Sequence, residues 1–166
     1  MNKRTTIIIS SIAILALAIA LAYVVTRMPP TTAVYVDPQL TVKPAGQNFT
    51  VDIRTSGVSD LYGWELKLSW NNTLLDTLNV TEGTFLQGGG HTLFSPKVNS
   101  TDGHILADCT LLGNIKGVSG AGTLATIQFT VKDNGECSLH LYDVTLLNSA
   151  EQSIVPTLTD GRFSTT

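Results

Sequence analysis

From Tyr62 to Trp70 the large apolar side chains take every second position: Tyr62, Trp64, Leu66, Leu68 and Trp70, with Glu65, Lys67 and Ser69 between them. A period of two puts the apolar set on one face of a β-strand and the polar set on the other. The same alternation runs through Phe49, Val51 and Ile53 against Thr50, Asp52 and Arg54. The stretch Gly122 to Val131 reads as a further strand. After Ala33 no stretch of useful length keeps a helical period. Short apolar runs are instead separated by Gly, Asn, Asp and Pro, with strong turn signals at Asp102-Gly103 and Asp133-Asn134-Gly135.

The pattern predicts nine strands: Val34 to Val36 resuming near Thr41, Asn48 to Arg54, Tyr62 to Trp70, Thr77 to Val80, Thr92 to Ser95, His104 to Leu112, Thr123 to Val131, Cys137 to Leu147, and Thr157 to Ser164. Asp160-Gly161 marks a bulge or tight turn in the last. Regular strands with this punctuation make an all-β fold, a sandwich or jelly roll, with both indoles turned into its interior.

The start of the chain differs. Lys3 and Arg4 precede an uncharged, mainly apolar run from Ile7 to Val25. As a helix, about 19 residues span roughly 28 Å, close to the thickness of a bilayer core. The flanking cations stay cytoplasmic, so the remainder is expected outside. Two readings fit: a retained transmembrane signal-anchor, or a signal peptide cut after Ala22, where Ala20-Leu21-Ala22 has the small-x-small pattern. The length of the run favours the anchor. The chain then divides into an anchor or signal segment (1–27), a Pro/Thr linker (28–32) and a β-sandwich domain (33–166). The expected location is the cell membrane, single-pass with an extracellular C-terminal domain, or the exterior if the segment is cleaved.

Composition agrees with an extracellular β-protein. A formal net charge of -3 with 14% charged residues is a mild acidic bias, and no Lys/Arg cluster offers a footprint for nucleic acid. Four Asn-x-Thr sequons, at Asn48, Asn71, Asn79 and Asn99, lie downstream of the apolar run and are candidate glycosylation sites. Cys109 and Cys137 are the two cysteines. Outside the cell such a pair is expected to form a disulfide, worth on the order of 3 kcal/mol. Two separate buried thiols are the alternative. Two cysteines do not complete the usual structural zinc site.

Little in the chain suggests catalysis. His91, His104 and His140 occupy separate segments without ligand spacing. No Gly-x-Ser-x-Gly elbow occurs, and Gln87-Gly88-Gly89-Gly90-His91 lacks the Lys-Ser/Thr of a phosphate loop. Asp60, Asp102 and Asp133 stand at turns, with a calcium ion at one of them as the alternative. The reading is a non-enzyme with no metal site and no cofactor.

The order of features resembles the cohesin domain, the receptor module that binds dockerin. The similarity runs from about Val34 to Ser164. It rests on the Pro44-Ala45-Gly46 turn before Phe49-x-Val51-x-Ile53, on Leu61-x-Gly63 opening the strand that ends Leu66-x-Leu68-x-Trp70-Asn71, and on Asp102-Gly103. Its clearest part is Gly122-x-Leu124-Ala125-x-Ile127-x-Phe129-x-Val131, and the chain closes on Asp160-Gly161-x-Phe163-Ser164. One departure is Asn71-Asn72-Thr73, where an Asp-Pro pair is common in the family.

The resemblance implies a nine-stranded jelly roll in two sheets, kin to cellulose-binding modules. It also implies a partner face on the outer surface of the sheet holding the third, fifth, sixth and eighth strands. Alternation then exposes Glu65, Lys67 and Ser69 on the third strand, Leu106, Asp108 and Thr110 on the sixth, and Ser138, His140 and Tyr142 on the eighth. Leu106 and Tyr142 are the candidate apolar anchors for a separate protein partner, a dockerin-bearing one by resemblance. Polysaccharide binding is a second reading, disfavoured by inward-facing tryptophans. A structural subunit of a surface layer or filament is a third.

Overall fold

The computed structural model describes residues 31–165; the apolar run Ile7 to Val25, and with it the helix expected there, falls outside the described residues. Among the described residues there are eleven strands and one short helix: β1 (Ala33–Asp37), β2 (Leu40–Val42), β3 (Asn48–Ser69), β4 (Leu75–Glu82), α1 (Thr84–Gln87), β5 (Thr92–Asn99), β6 (His104–Leu111), β7 (Val118–Val131), β8 (Glu136–Asn148), β9 (Ser153–Ile154), β10 (Thr157–Thr159) and β11 (Gly161–Ser164).

The all-β expectation holds, and the count of nine strands is corrected to eleven. The first expected strand is broken in two at Pro38, which has a fixed φ and no N–H to give a ladder. The second and third are one strand of 22 residues, β3. Its pairing with β7 continues through register shifts at Ile53/Arg54, Thr55/Val58 and Val58/Leu61. Such irregularities bend a strand, and Gly57 (φ +64) lies within the bend. The last expected strand divides at Asp160. There the side chain takes over a ladder position, its Oδ1 accepting the Leu141 N–H at 2.9 Å. β9, only two residues long, has no signal in the sequence.

The bend lets β3 serve both layers. Its first half lies between β1 and β7, and β4 and β10 complete that layer. Its second half lies between β6 and β8, with β5 beyond β6 and β11 and β2 beyond the start of β8. The inward-facing residues of both layers form one core. Phe49 stacks between Phe129 (5.4 Å between centroids) and Phe163 (5.3 Å), and Trp70 meets Phe129 edge-on at 5.2 Å. The buried Trp70 indole N–H donates to the Leu75 carbonyl at 3.1 Å, so the one polar group of that ring is satisfied inside the core.

One carboxylate holds the bend. Asp60 stands at φ +58. It accepts the Gly117 N–H at 2.7 Å and the Ser149 hydroxyl at 2.7 Å, while its own N–H donates to Ser119 Oγ at 2.8 Å. The Ser149 hydroxyl first, then the Gly117 amide, hold this carboxyl below its ordinary value of 3.8. A lowered carboxylate pKa stabilises the fold above the ordinary value, and that stability is lost as pH falls through the lowered one. Asp60→Asn keeps a residue that tolerates positive φ and removes the charge. Its melting temperature is expected to lie below the parent's at about pH 6, with the gap closing toward about pH 2. A gap independent of pH would contradict this role.

Candidate functional site

The second half of β3 is central to a sheet of order β5-β6-β3-β8. On its inner side Trp64, Leu66 and Leu68 of β3 join Ile105, Ala107, Cys109 and Leu111 of β6 and Leu139, Leu141 and Leu146 of β8 in the core. The pleat therefore turns the intervening residues out together. Registers set them in four rows across the sheet: Asn99, His104, Ser69 and His140; Lys97, Leu106, Lys67 and Tyr142; Ser95, Asp108, Glu65 and Thr145; Leu93, Thr110, Gly63 and Leu147.

All eight residues expected on a partner face, Glu65, Lys67, Ser69, Leu106, Asp108, Thr110, His140 and Tyr142, lie on this one surface. Glu65 and His140 are exposed and the other six half-buried. The rows also contain residues the sequence reading missed. β5 contributes Leu93, 58% exposed, and Lys97; Pro96 blurs the alternation there. On β8 a register shift lies between the pairs Glu65/Thr145 and Lys67/Tyr142, with Asp143 at φ +48 inside it. Strict alternation would place Thr145 and Leu147 inward, whereas they stand beside Glu65 and Gly63. The sheet also brings His104 and His140 into one row on either side of Ser69.

Several face residues are held in place. Lys67 Nζ pairs with Asp143 Oδ2 at 3.0 Å and stands 5.9 Å from the Tyr142 ring centroid. The Asp143 hydrogen bond, then its charge, push the lysine pKa up. The His140 ring stacks on Tyr142, 5.5 Å between centroids with 6° between planes, and its Nδ1 lies 2.8 Å from Asp160 Oδ2. Asp160 thus fixes both the β8 ladder and the imidazole. Glu65 and Asp108 face each other across β3 and β6, and neither has a salt-bridge partner among the described residues. Like charges placed so repel.

Beside them the surface is dented. Gly63 has no side chain, and a notch of about 270 Å³ opens between Glu65, Asp108, Thr110, Thr145 and Leu147. A Cβ at Gly63 would stand 3.3 Å from Thr110 Oγ1. A second groove of about 560 Å³ lies where β2 and β11 meet the start of β8, between Leu40, Val42, Glu136, Ser138 and Arg162.

The expected disulfide is corrected: Cys109 and Cys137 are free thiols. Cys109 lies opposite Trp64 on β3, whereas the Cys137 thiol sits beside the Asn71 backbone. Seven residues of extended chain separate those points by about 23 Å, and a bridge needs Cα atoms within about 7 Å. The Cys109 thiol donates to Glu82 Oε1 at 3.4 Å. Burial, then the Glu82 charge, push it up to about 12, and burial raises Cys137 as well. Protein unfolded without reductant is expected to yield two reactive thiols per chain, and folded protein at about pH 8 to show Cys109 unreactive. A thiol count near zero after unfolding would restore the bridge.

The aspartates weighed for calcium serve turns: Asp102 and Asp133 bond Asn99 and the Asn134 N–H, and Asp60 holds the β3 bend. Among the described residues no group of three or more His, Cys, Asp or Glu side chains is arranged to hold a metal ion. The sequons fall in three places. Asn48 and Asn79 are exposed on the outside of the other layer, opposite Thr130 and Gln128 of β7. Asn71 caps the end of β3, its Oδ1 accepting the Thr73 N–H at 3.0 Å and hydroxyl at 2.8 Å. Asn99 stands in the first row of the face.

A family model described as Cohesin domain matches residues 35–164. Solved structures share the fold at low identity. A non-cellulosomal cohesin from the hyperthermophilic archaeon Archaeoglobus fulgidus superimposes with TM-score 0.69 at 21% identity, covering 81% of this chain and 91% of that one. The sixth cohesin of Acetivibrio cellulolyticus scaffoldin B, in complex with a Cel5 dockerin, gives 0.68 at 16%, covering 82% and 100%. A type I cohesin–dockerin complex from Clostridium thermocellum gives 0.67 at 12%, covering 80% and 92%. No curated protein matches the chain at a significant level.

Proposed function

The chain belongs to the cohesin family, and from that premise we propose that it is a non-catalytic receptor that docks a separate, dockerin-like protein on the outer surface of β5-β6-β3-β8. The observation that carries the reading is the four-row surface itself. Leu106 and Tyr142 supply apolar area at its centre, the Lys67–Asp143 and His140–Asp160 pairs fix the polar groups around them, and Gly63 leaves a notch for a protruding side chain. A rigid surface of this kind gains affinity by complementarity, because few of its side chains must be ordered on binding. Two similar cohesins are described in complex with dockerins, which supports a dockerin-type partner.

In this reading the run Ile7 to Val25 anchors the domain to the outside of a membrane. Polysaccharide binding is the weaker alternative. Trp64 and Trp70 are 4% and 6% exposed, so neither offers the flat aromatic platform that a sugar ring stacks on.

The test is a calorimetric titration of the purified protein with dockerin modules from proteins encoded alongside it. Saturable binding to at least one is expected. Absence of binding to all of them, with the fold intact by circular dichroism, would count against the proposal.

A further inference from the structure

We propose that the outer surface of the β1-β3-β7-β4 layer is a saccharide-bearing face, with N-linked glycans at Asn48 and Asn79, and that Asn99 stays bare so that the docking face is left open. This rests on the preceding reading that the domain lies outside the membrane and docks through the opposite sheet.

The placement is the first argument. Asn48 on β3 and Asn79 on β4 flank β7, paired with Thr130 and Gln128 respectively. Two strand spacings and a two-residue offset put them about 12 Å apart on one surface. Both are exposed, and neither carboxamide bonds another described residue. Asn99 differs in each respect. It is half-buried, its Nδ2 donates to Asp102 Oδ2 at 2.8 Å and its Oδ1 accepts the Asp102 N–H at 3.1 Å, so both ends of the amide are committed to the β5–β6 turn. It also stands beside His104 in the first row, where a saccharide would cover the corner of the docking surface.

The chemistry needs a free amide nitrogen. The Asn Nδ2 attacks the anomeric carbon of a lipid-diphosphate-linked saccharide. A C–N bond forms, the anomeric C–O bond breaks, the lipid diphosphate leaves with the electron pair, and the amide gives one proton to a base of the transferase. Asn48 and Asn79 offer that nitrogen to solvent, whereas Asn99 has it bonded to a carboxylate. A bulky polar coat on one layer also restricts any partner to the other, the sheet whose four rows form the candidate docking surface.

The experiment expresses the full chain in a host that modifies Asn-x-Thr on the outer side of its membrane, and maps saccharides by peptide mass. Expected are occupied Asn48 and Asn79 and an unmodified Asn99 peptide. A chain that is accessible to external protease yet bare at Asn48 and Asn79 overturns the inference, as does a saccharide on Asn99. A chain shielded from protease and bare at every sequon overturns the location reading along with it. A second arm uses Lys67→Asn, which makes a new sequon with Leu68 and Ser69 on the docking face. The saccharide-bearing form is expected to bind the dockerin-type partner about 100-fold more weakly than the same variant made without saccharide. Equal affinity of the two forms would show that this sheet is not the surface left open for docking.

Discussion

Leu106→Asp is expected to weaken binding of a dockerin-type partner by about 100-fold while moving the melting temperature by no more than about 2 °C. Leu106 lies in the second row, with Lys97 on one side and Lys67 on the other, and points away from the core. A carboxylate there gains opposite charges across two strands, worth a few tenths of a kcal/mol each, so folding has little to lose. The docked state has much to lose. A desolvated charge replaces an apolar contact at the centre of the surface, where truncations cost most. The check is parallel calorimetry and thermal melting of the variant and its parent. Unchanged affinity would remove Leu106, and with it the centre of the sheet, from the docking surface. A collapse of the melting temperature would mean that the alternation was assigned the wrong way round.

Phe129→Ala is expected to cost about 3–5 kcal/mol of folding stability, the largest loss of any single truncation proposed for this domain. Phe129 is fully buried on β7 and touches both Phe49 and Trp70, so one ring links the β7 layer to the end of β3. Its loss leaves a cavity whose walls, two further aromatic rings, relax little. Domains of this size are stable by about 5–15 kcal/mol, so the variant is expected to need low temperature or a stabilising co-solvent for its recovery. Urea unfolding followed by tryptophan fluorescence measures the change directly, because Trp70 reports from the same contact. A loss under about 1.5 kcal/mol would show that the aromatic cluster is not the main tie between the layers.

The sidedness of the strands was legible from the sequence because period-two alternation is strict where one face is buried. Trp64 and Trp70 turn inward with Leu66 and Leu68 for that reason. Features that break alternation were not legible. Thr55 to Asp60 reads as a polar loop, yet its backbone keeps pairing with β7 and makes β3 a single bent strand. The irregularity around Asp143 moves Thr145 and Leu147 onto the outer surface of the sheet, beside Glu65 and Gly63, and no residue type announces it. The fifth strand was expected in this sheet, but which of its residues face outward was hidden by Pro96. The cysteines show a different limit: phase along a strand told which way each thiol points, but the separation between them is set by register, which a pair of isolated strands does not encode.

The family and the all-β framework could be recognised early because the residues that carry the resemblance are mostly core residues, fixed by packing. Leu124, Ile127, Phe129 and Val131 of β7 are all buried. The surface that would choose a partner is less constrained. Its opposed carboxylates at Glu65 and Asp108 and its notch over Gly63 emerge only when β3, β6 and β8 are set side by side.

Amide hydrogen exchange on the protein with and without a bound dockerin module tests the central claim most directly. The account predicts added protection in β3 from Gly63 to Ser69 and in β5, β6 and β8, with β4 and β7 unchanged. Protection confined to β4 and β7, or to the β2–β11 groove, would place the partner on a different surface and contradict it.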